Sequence, residues 1–252
     1  MQTNVWVLLG CVSLCSAPVF AQSQVGSSSS SQDVPASGYI RRFSVGGTLG
    51  VLGFQFIPNK TGGTTVGSIV TSYSTTNSSQ RIGYGITGQV ALTEHFAISA
   101  SALFRRVGYQ MTTVVQTGTT TVTTTSAHSD TRATAYEFPL SFRYYVKGRH
   151  QKGPHFFMEG GVALMKAANV RTSIDTTNAS GTNSCCVTST NSNLANRNVR
   201  GFLGGMGLQL IDPIGIRVVP EVRYTRWMDN MFYFQSTITQ RNQIEAVISL
   251  SW

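Results

Sequence analysis

Six charged residues draw attention because the stretches around them carry so little charge: Glu137, Arg143, Glu159, Glu221, Arg223 and Glu245, joined by the neutral Gln209. Carboxylates and guanidiniums brought together away from water have two uses. They pair into a fixed network, or they pass protons or small ions along a path. Left unpaired, each would cost several kcal/mol in lost hydration. Arg143 and Arg223 are therefore expected as the cations of a charge lattice among the glutamates. Catalytic groupings are thin by comparison. His128-Ser129-Asp130 has the types of a base, a nucleophile and an acid, but consecutive side chains diverge and do not line up as a triad. His95, His150 and His155 fall at turns, where interface or solvent roles outweigh metal binding. Gly46, Gly47, Gly50 and Gly53 lie within a strand and precede no helix, which makes a nucleotide-binding loop a poor reading. The expectation is no catalytic residue, no metal and no cofactor.

The charged set means something only on elements that aim it inward, and the chain supplies them. At its end, Ile244, Ala246, Ile248, Leu250 and Trp252 alternate with Glu245, Val247, Ser249 and Ser251. Period two is the mark of a strand with an apolar and a polar face. Ending on a bare aromatic suits a lipid interface better than water. Seven earlier segments have the same character, and the eight cover 40–56, 81–92, 96–111, 132–146, 155–170, 199–210, 216–227 and 239–252. Tyr136, Phe138, Leu140, Phe142 and Tyr144 share one face of the fourth; Glu137, Ser141 and Arg143 share the other. The connections 57–80, 112–131, 171–198 and 228–238 are long and rich in Thr, Ser, Asn and Gly, and those between are short. Pro139 and Pro220 lie within strands and are expected at bulges or bends.

No run of about 20 apolar residues follows the N-terminal region, so a membrane reading requires a closed barrel. Residues 1–21 read as a secretory signal peptide with an apolar stretch from Val5 to Leu14 and Val19-Phe20-Ala21 before cleavage. Leu8-Leu9-Gly10-Cys11 as a lipidation box is the weaker alternative. Residues 22–38 read as a flexible periplasmic lead-in, and 39–252 as the barrel. After cleavage only Cys185-Cys186 remains, a pair that fits no zinc site. In an oxidising compartment the two can form a loop disulfide or pair between chains; the plainer reading is two loop cysteines without a catalytic role.

The chain carries 19 Lys and Arg against 10 Asp and Glu, a formal charge of +9. Export makes nucleic acid a poor partner. Arg41, Arg42, Arg81, Arg105, Arg106, Arg132, Arg171, Arg197, Arg200 and Arg226 lie near predicted strand ends. There they would either hold lipopolysaccharide phosphates or snorkel to the interface. Phe54, Phe56, Phe104, Tyr144, Phe156, Trp227 and Trp252 are expected in interface girdles.

The signal, the E-F-P-L-S-F-R-Y-Y segment from Glu137 to Tyr145, the G-G-V-A-L and G-G-M-G-L strands and the terminal I-S-L-S-W together resemble the small eight-stranded outer-membrane β-barrel superfamily, the class of the OmpA transmembrane domain and OmpX. The resemblance implies an all-β, eight-stranded antiparallel up-and-down transmembrane barrel in the bacterial outer membrane. It also implies that Ile244, Ile248, Leu250 and Trp252 form the signal read by the barrel-assembly machinery. A fold transfers more safely than a function. The expected role is structural or surface-interacting: four polar extracellular loops on a plugged barrel, in contact with outer-membrane lipid and lipopolysaccharide. A narrow pore for ions or small solutes and a lipid A-modifying enzyme are the alternatives. A soluble lipocalin-like barrel would invert the inside and outside phases.

Overall fold

The computed structural model describes residues 42–118, 121–148, 151, 153–178, 180, 183–189, 194–212, 215–234 and 237–252. The expected signal peptide and lead-in, with Arg41 and His150, lie outside them. The described residues form thirteen strands and no helix: β1 (Phe43–Leu52), β2 (Lys60–Val66), β3 (Ile69–Asn77), β4 (Ile82–Ala91), β5 (Phe96–Thr117), β6 (Thr123–Tyr145), β7 (His155–Thr177), β8 (Asn183–Ser189), β9 (Asn198–Ile211), β10 (Arg217–Trp227), β11 (Tyr233–Phe234), β12 (Thr237–Ile238) and β13 (Asn242–Ser251).

Eight of these close on themselves in antiparallel pairs, in the order β1, β4, β5, β6, β7, β9, β10, β13 and back to β1. Closure removes the unpaired edge that an open sheet exposes. Alternation sets the faces. In β1 and β13 every second residue is buried, and those between are exposed. Outward positions are apolar: Phe43, Val45 and Leu49 on β1, Phe138, Leu140 and Phe142 on β6, Ile244, Ile248 and Leu250 on β13. Aromatic pairs bridge neighbouring strands on this wall, Phe96 with Phe142 at 5.2 Å and Tyr84 with Phe104 at 5.1 Å between ring centroids.

At one end of the barrel lie Phe43, Ser251 and the short turns. At the other, the long connections 57–80, 112–131 and 171–198 are largely strand rather than loop. β2 and β3 form a hairpin that pairs onto β5. β5, β6 and β7 run 22 or 23 residues, about a dozen more than the ~9–11 that cross a membrane. β8 pairs onto β7. The result is a sheet in the order β2-β3-β5-β6-β7-β8 that continues the barrel wall beyond its apolar band, by up to roughly 40 Å at about 3.3 Å per residue. Threonine explains the change of expectation, being at home in polar connections and also a strong strand former.

Neither internal proline shifts the register. Pro139 sits opposite Ala163 and Pro220 opposite Ile248. The ladder to the strand on the other side merely lapses, between Leu140 and Glu137 against β5 and between Val218 and Glu221 against β9. The bulge lies elsewhere, where the register slips between Arg132 and Thr134. Opposite it, Asn169 has a left-handed φ of 52°, a conformation that Asn tolerates better than most residues.

Candidate functional site

The inward faces of β6, β7, β10 and β13 carry the charged set. Arg143 and Glu159 are direct cross-strand partners, as are Arg223 and Glu245. From there the side chains reach across the lumen. Arg143 donates through Nε to Glu159 Oε2 at 2.9 Å and through Nη2 to Glu221 Oε2 at 2.5 Å. Arg223 donates through Nε to Glu159 Oε1 at 3.3 Å and through Nη2 to Glu221 Oε1 at 2.5 Å. Each carboxylate thus bridges both guanidiniums, and the four residues close a ring that ties β6 and β7 to β10 through the middle of the barrel. All four are nearly inaccessible to solvent. Charge-assisted bonds of this kind are about twice as strong as neutral ones, and four of them offset the desolvation that burial imposes.

Neutral groups finish the network toward the short-turn end. Arg143 Nη1 donates to Gln89 Oε1 at 3.2 Å, Gln89 Nε2 to Tyr145 Oη at 2.9 Å, and Tyr145 Oη to Gln209 Oε1 at 2.7 Å. Ser141 Oγ donates to Glu159 Oε2 at 2.8 Å. The Arg143 guanidinium also lies over the Phe157 ring, 4.5 Å from its centroid, a cation–π contact that holds the planar group in place.

Arg105 corrects the sequence reading. Grouped there with the strand-end arginines, it lies inside, 4 % exposed. It is ion-paired to Glu245 and lies 3.9 Å from Glu137. Arg217 is buried inward as well. Among the described residues the interior therefore holds four arginines and four glutamates, where the sequence reading placed two arginines. The cue was available: Arg105 is in phase with Ser99 and Ser101. Glycine makes the room. A Cβ at Gly83 would stand 2.9 Å from Arg105 Nη2, one at Gly205 would stand 3.0 Å from Glu159 Oε1, and one at Gly50 would collide with the Glu245 carboxylate.

On the side of the long connections the lumen changes character. Leu52, Val107, Tyr109, Met111, Met165, Val199, Leu203 and Trp227 turn inward from the strands. Phe56 and Ile57, just after β1, and Met231 and Phe232, just after β10, fold into the mouth against them. Phe232 meets Tyr109 edge-on at 5.6 Å, and its amide donates to Thr239 Oγ1 at 2.8 Å. Phe56 and Trp227, expected in interface girdles, are each 1 % exposed in this apolar cap. Phe54, Tyr144, Phe156 and Trp252 do face outward.

The remaining groups stay apart. His128, Ser129 and Asp130 lie on β6 rather than in a loop. Strand alternation buries Ser129 while His128 stays exposed, accepting or donating at 3.2 Å to Thr112 Oγ1. Asp130 pairs instead with Arg132 at 2.7 Å. His155 is buried at the short-turn end of β7. Among the described residues, no group of His, Cys, Asp and Glu could hold a metal ion. Cys185 and Cys186 fall in β8, in the stretch where the register with β7 slips opposite Asp175; their side chains lie outside the described residues.

The comparisons agree with this architecture. Residues 20–232 match the family described as outer membrane protein beta-barrel domain, a span that stops short of β13. No curated protein matches the chain significantly.

Proposed function

The chain belongs to the outer membrane protein β-barrel domain family, and from that premise we propose that it is a closed membrane anchor holding the β2-β3-β5-β6-β7-β8 sheet outside the cell as an interaction platform. The observation that carries this reading is the filled lumen. The ring of Arg143, Glu159, Arg223 and Glu221 spans its middle, and the apolar cap around Phe232 and Trp227 fills the mouth beyond it. An eight-stranded barrel is just wide enough for its side chains to fill. An ion passing through would have to break charge-assisted bonds and then enter an apolar zone.

We infer the orientation from the habit of such barrels. The short turns and chain end face the periplasm, and the protruding sheet faces outward, as is usual for such barrels. The alternating β13, with Ile244, Ile248, Leu250 and Trp252 outward, would then serve as the strand read by the barrel-assembly machinery. Threonine- and serine-rich strands give the platform many hydroxyl donors and acceptors with little charge.

Liposome swelling tests the closed state. Vesicles containing the folded, heat-modifiable protein should swell in small sugars no faster than empty ones. Swelling at rates typical of open pores would overturn the proposal.

A further inference from the structure

The outer wall changes abruptly where its apolar band ends on the side of the protruding sheet. On β5 the outward series Phe96, Ile98, Phe104 gives way to Arg106; on β7, Met158, Val162, Leu164 gives way to Lys166. On β9 the series Leu208, Met206, Phe202 gives way to Arg200, and on β10 Val222 and Tyr224 give way to Arg226. One step further out, Arg132 and Arg171 are direct cross-strand partners. Like charges opposite each other destabilise a sheet. The Asp130 carboxylate lies 2.7 Å from Arg132 and neutralises one charge of the pair. An anion laid over the pair would relieve the rest.

The wall is shaped to receive one. Arg106, Arg132, Asn169 and Arg171, with the carboxylate of Asp130 among them, line a depression of about 800 Å³, at the place of the Asn169 bulge in β7. Next to it along β7, a second hollow of about 220 Å³ is lined by Phe138, Leu164, Lys166 and Arg200. That hollow joins cations to apolar side chains of the band.

We propose that this wall binds a membrane glycolipid whose headgroup carries more than one phosphate. Arg106, Arg132 and Arg171 hold the phosphates, with Lys166 and Arg200 beside them, and an acyl chain lies along Phe138 and Leu164. Guanidinium matches phosphate oxygens two at a time. The cations extend from β5 to β9, about 14 Å across at the usual strand spacing, which is wider than a single phosphodiester. Among the described residues at the opposite end, Arg42 and Lys147 are accompanied by Glu94 and Asp212. The inference rests on the orientation proposed above, which turns the cationic end to the outer leaflet.

The test titrates the purified barrel, in nonionic detergent, with lipid A bearing two phosphates, its dephosphorylated form, phosphatidylglycerol and inorganic pyrophosphate, read by native mass spectrometry. Lipid A should bind tightest. Arg106→Gln, Arg171→Gln and Lys166→Gln should each weaken it about fivefold, while Arg42→Gln and Lys147→Gln at the other end leave it unchanged. Equal binding of dephosphorylated lipid or phosphatidylglycerol would overturn the proposal, and so would an unchanged triple variant. Pyrophosphate binding as tightly as lipid A would overturn the lipid assignment. Heat-modifiable gel migration of the same samples reports on the barrel separately. Its absence in the wild type would sink the barrel reading, whereas an intact barrel without lipid preference sinks only this one.

Discussion

The two halves of the lumen are closed by opposite means. Toward the short turns, Arg143, Glu159, Glu221 and Arg223 seal it with ions that accept few alternative geometries. Toward the protruding sheet, Phe56, Ile57, Met231, Phe232 and Trp227 seal it with apolar bulk. A buried ion network gains little over an apolar core in net stability, yet breaking one member is severe. Apolar packing tolerates change more gradually, because neighbours can settle into the space. The difference suggests a division of work: the ionic half sets the register of strands across the barrel, and the apolar half fills a mouth whose connections can adjust.

The sharpest way to break the comparison is to remove one ion. Arg143→Met leaves Glu159 and Glu221 sharing one guanidinium, and should destabilise the barrel by about 3–5 kcal/mol. Urea titration in lipid vesicles, followed by the heat-modifiable gel shift, would measure it. A smaller loss is expected in the cap. Met231→Ala should cost about 2–3 kcal/mol in the same titration, the low end for such a truncation because the connection carrying it can settle. If the cap variant proved the worse of the two, the division of work would be reversed. The smallest effect sharpens the contrast between inside and outside. Asp130–Arg132 has the same chemistry as the lumen pairs, but its arginine side chain is 78 % exposed. Asp130→Asn should therefore change stability by less than about 1 kcal/mol.

The ionic half was largely legible in the sequence and the apolar half was not, for a physical reason. Glu137, Arg143, Glu159, Gln209, Glu221, Arg223 and Glu245 all sit on regular strands, where alternation fixes which way each side chain points. Arg105 followed the same alternation but was assigned by its nearness to a presumed strand end. β5 in fact continues to Thr117. The cap draws Ile57, Met231 and Phe232 from connections with no period to read, and Phe56 from what reads as the end of the first strand. An aromatic at a strand end, such as Trp227, fits a lipid girdle and a plug equally well until the fold brings its partners together. The protruding sheet was missed likewise, because threonine-rich strands and threonine-rich loops have the same composition.

That the lumen is shut is the central claim, and single-channel recording in planar bilayers tests it most directly. Folded, heat-modifiable protein should leave the current at the level of bare lipid, without steady steps. Steady large-conductance channels from that same preparation would contradict the account.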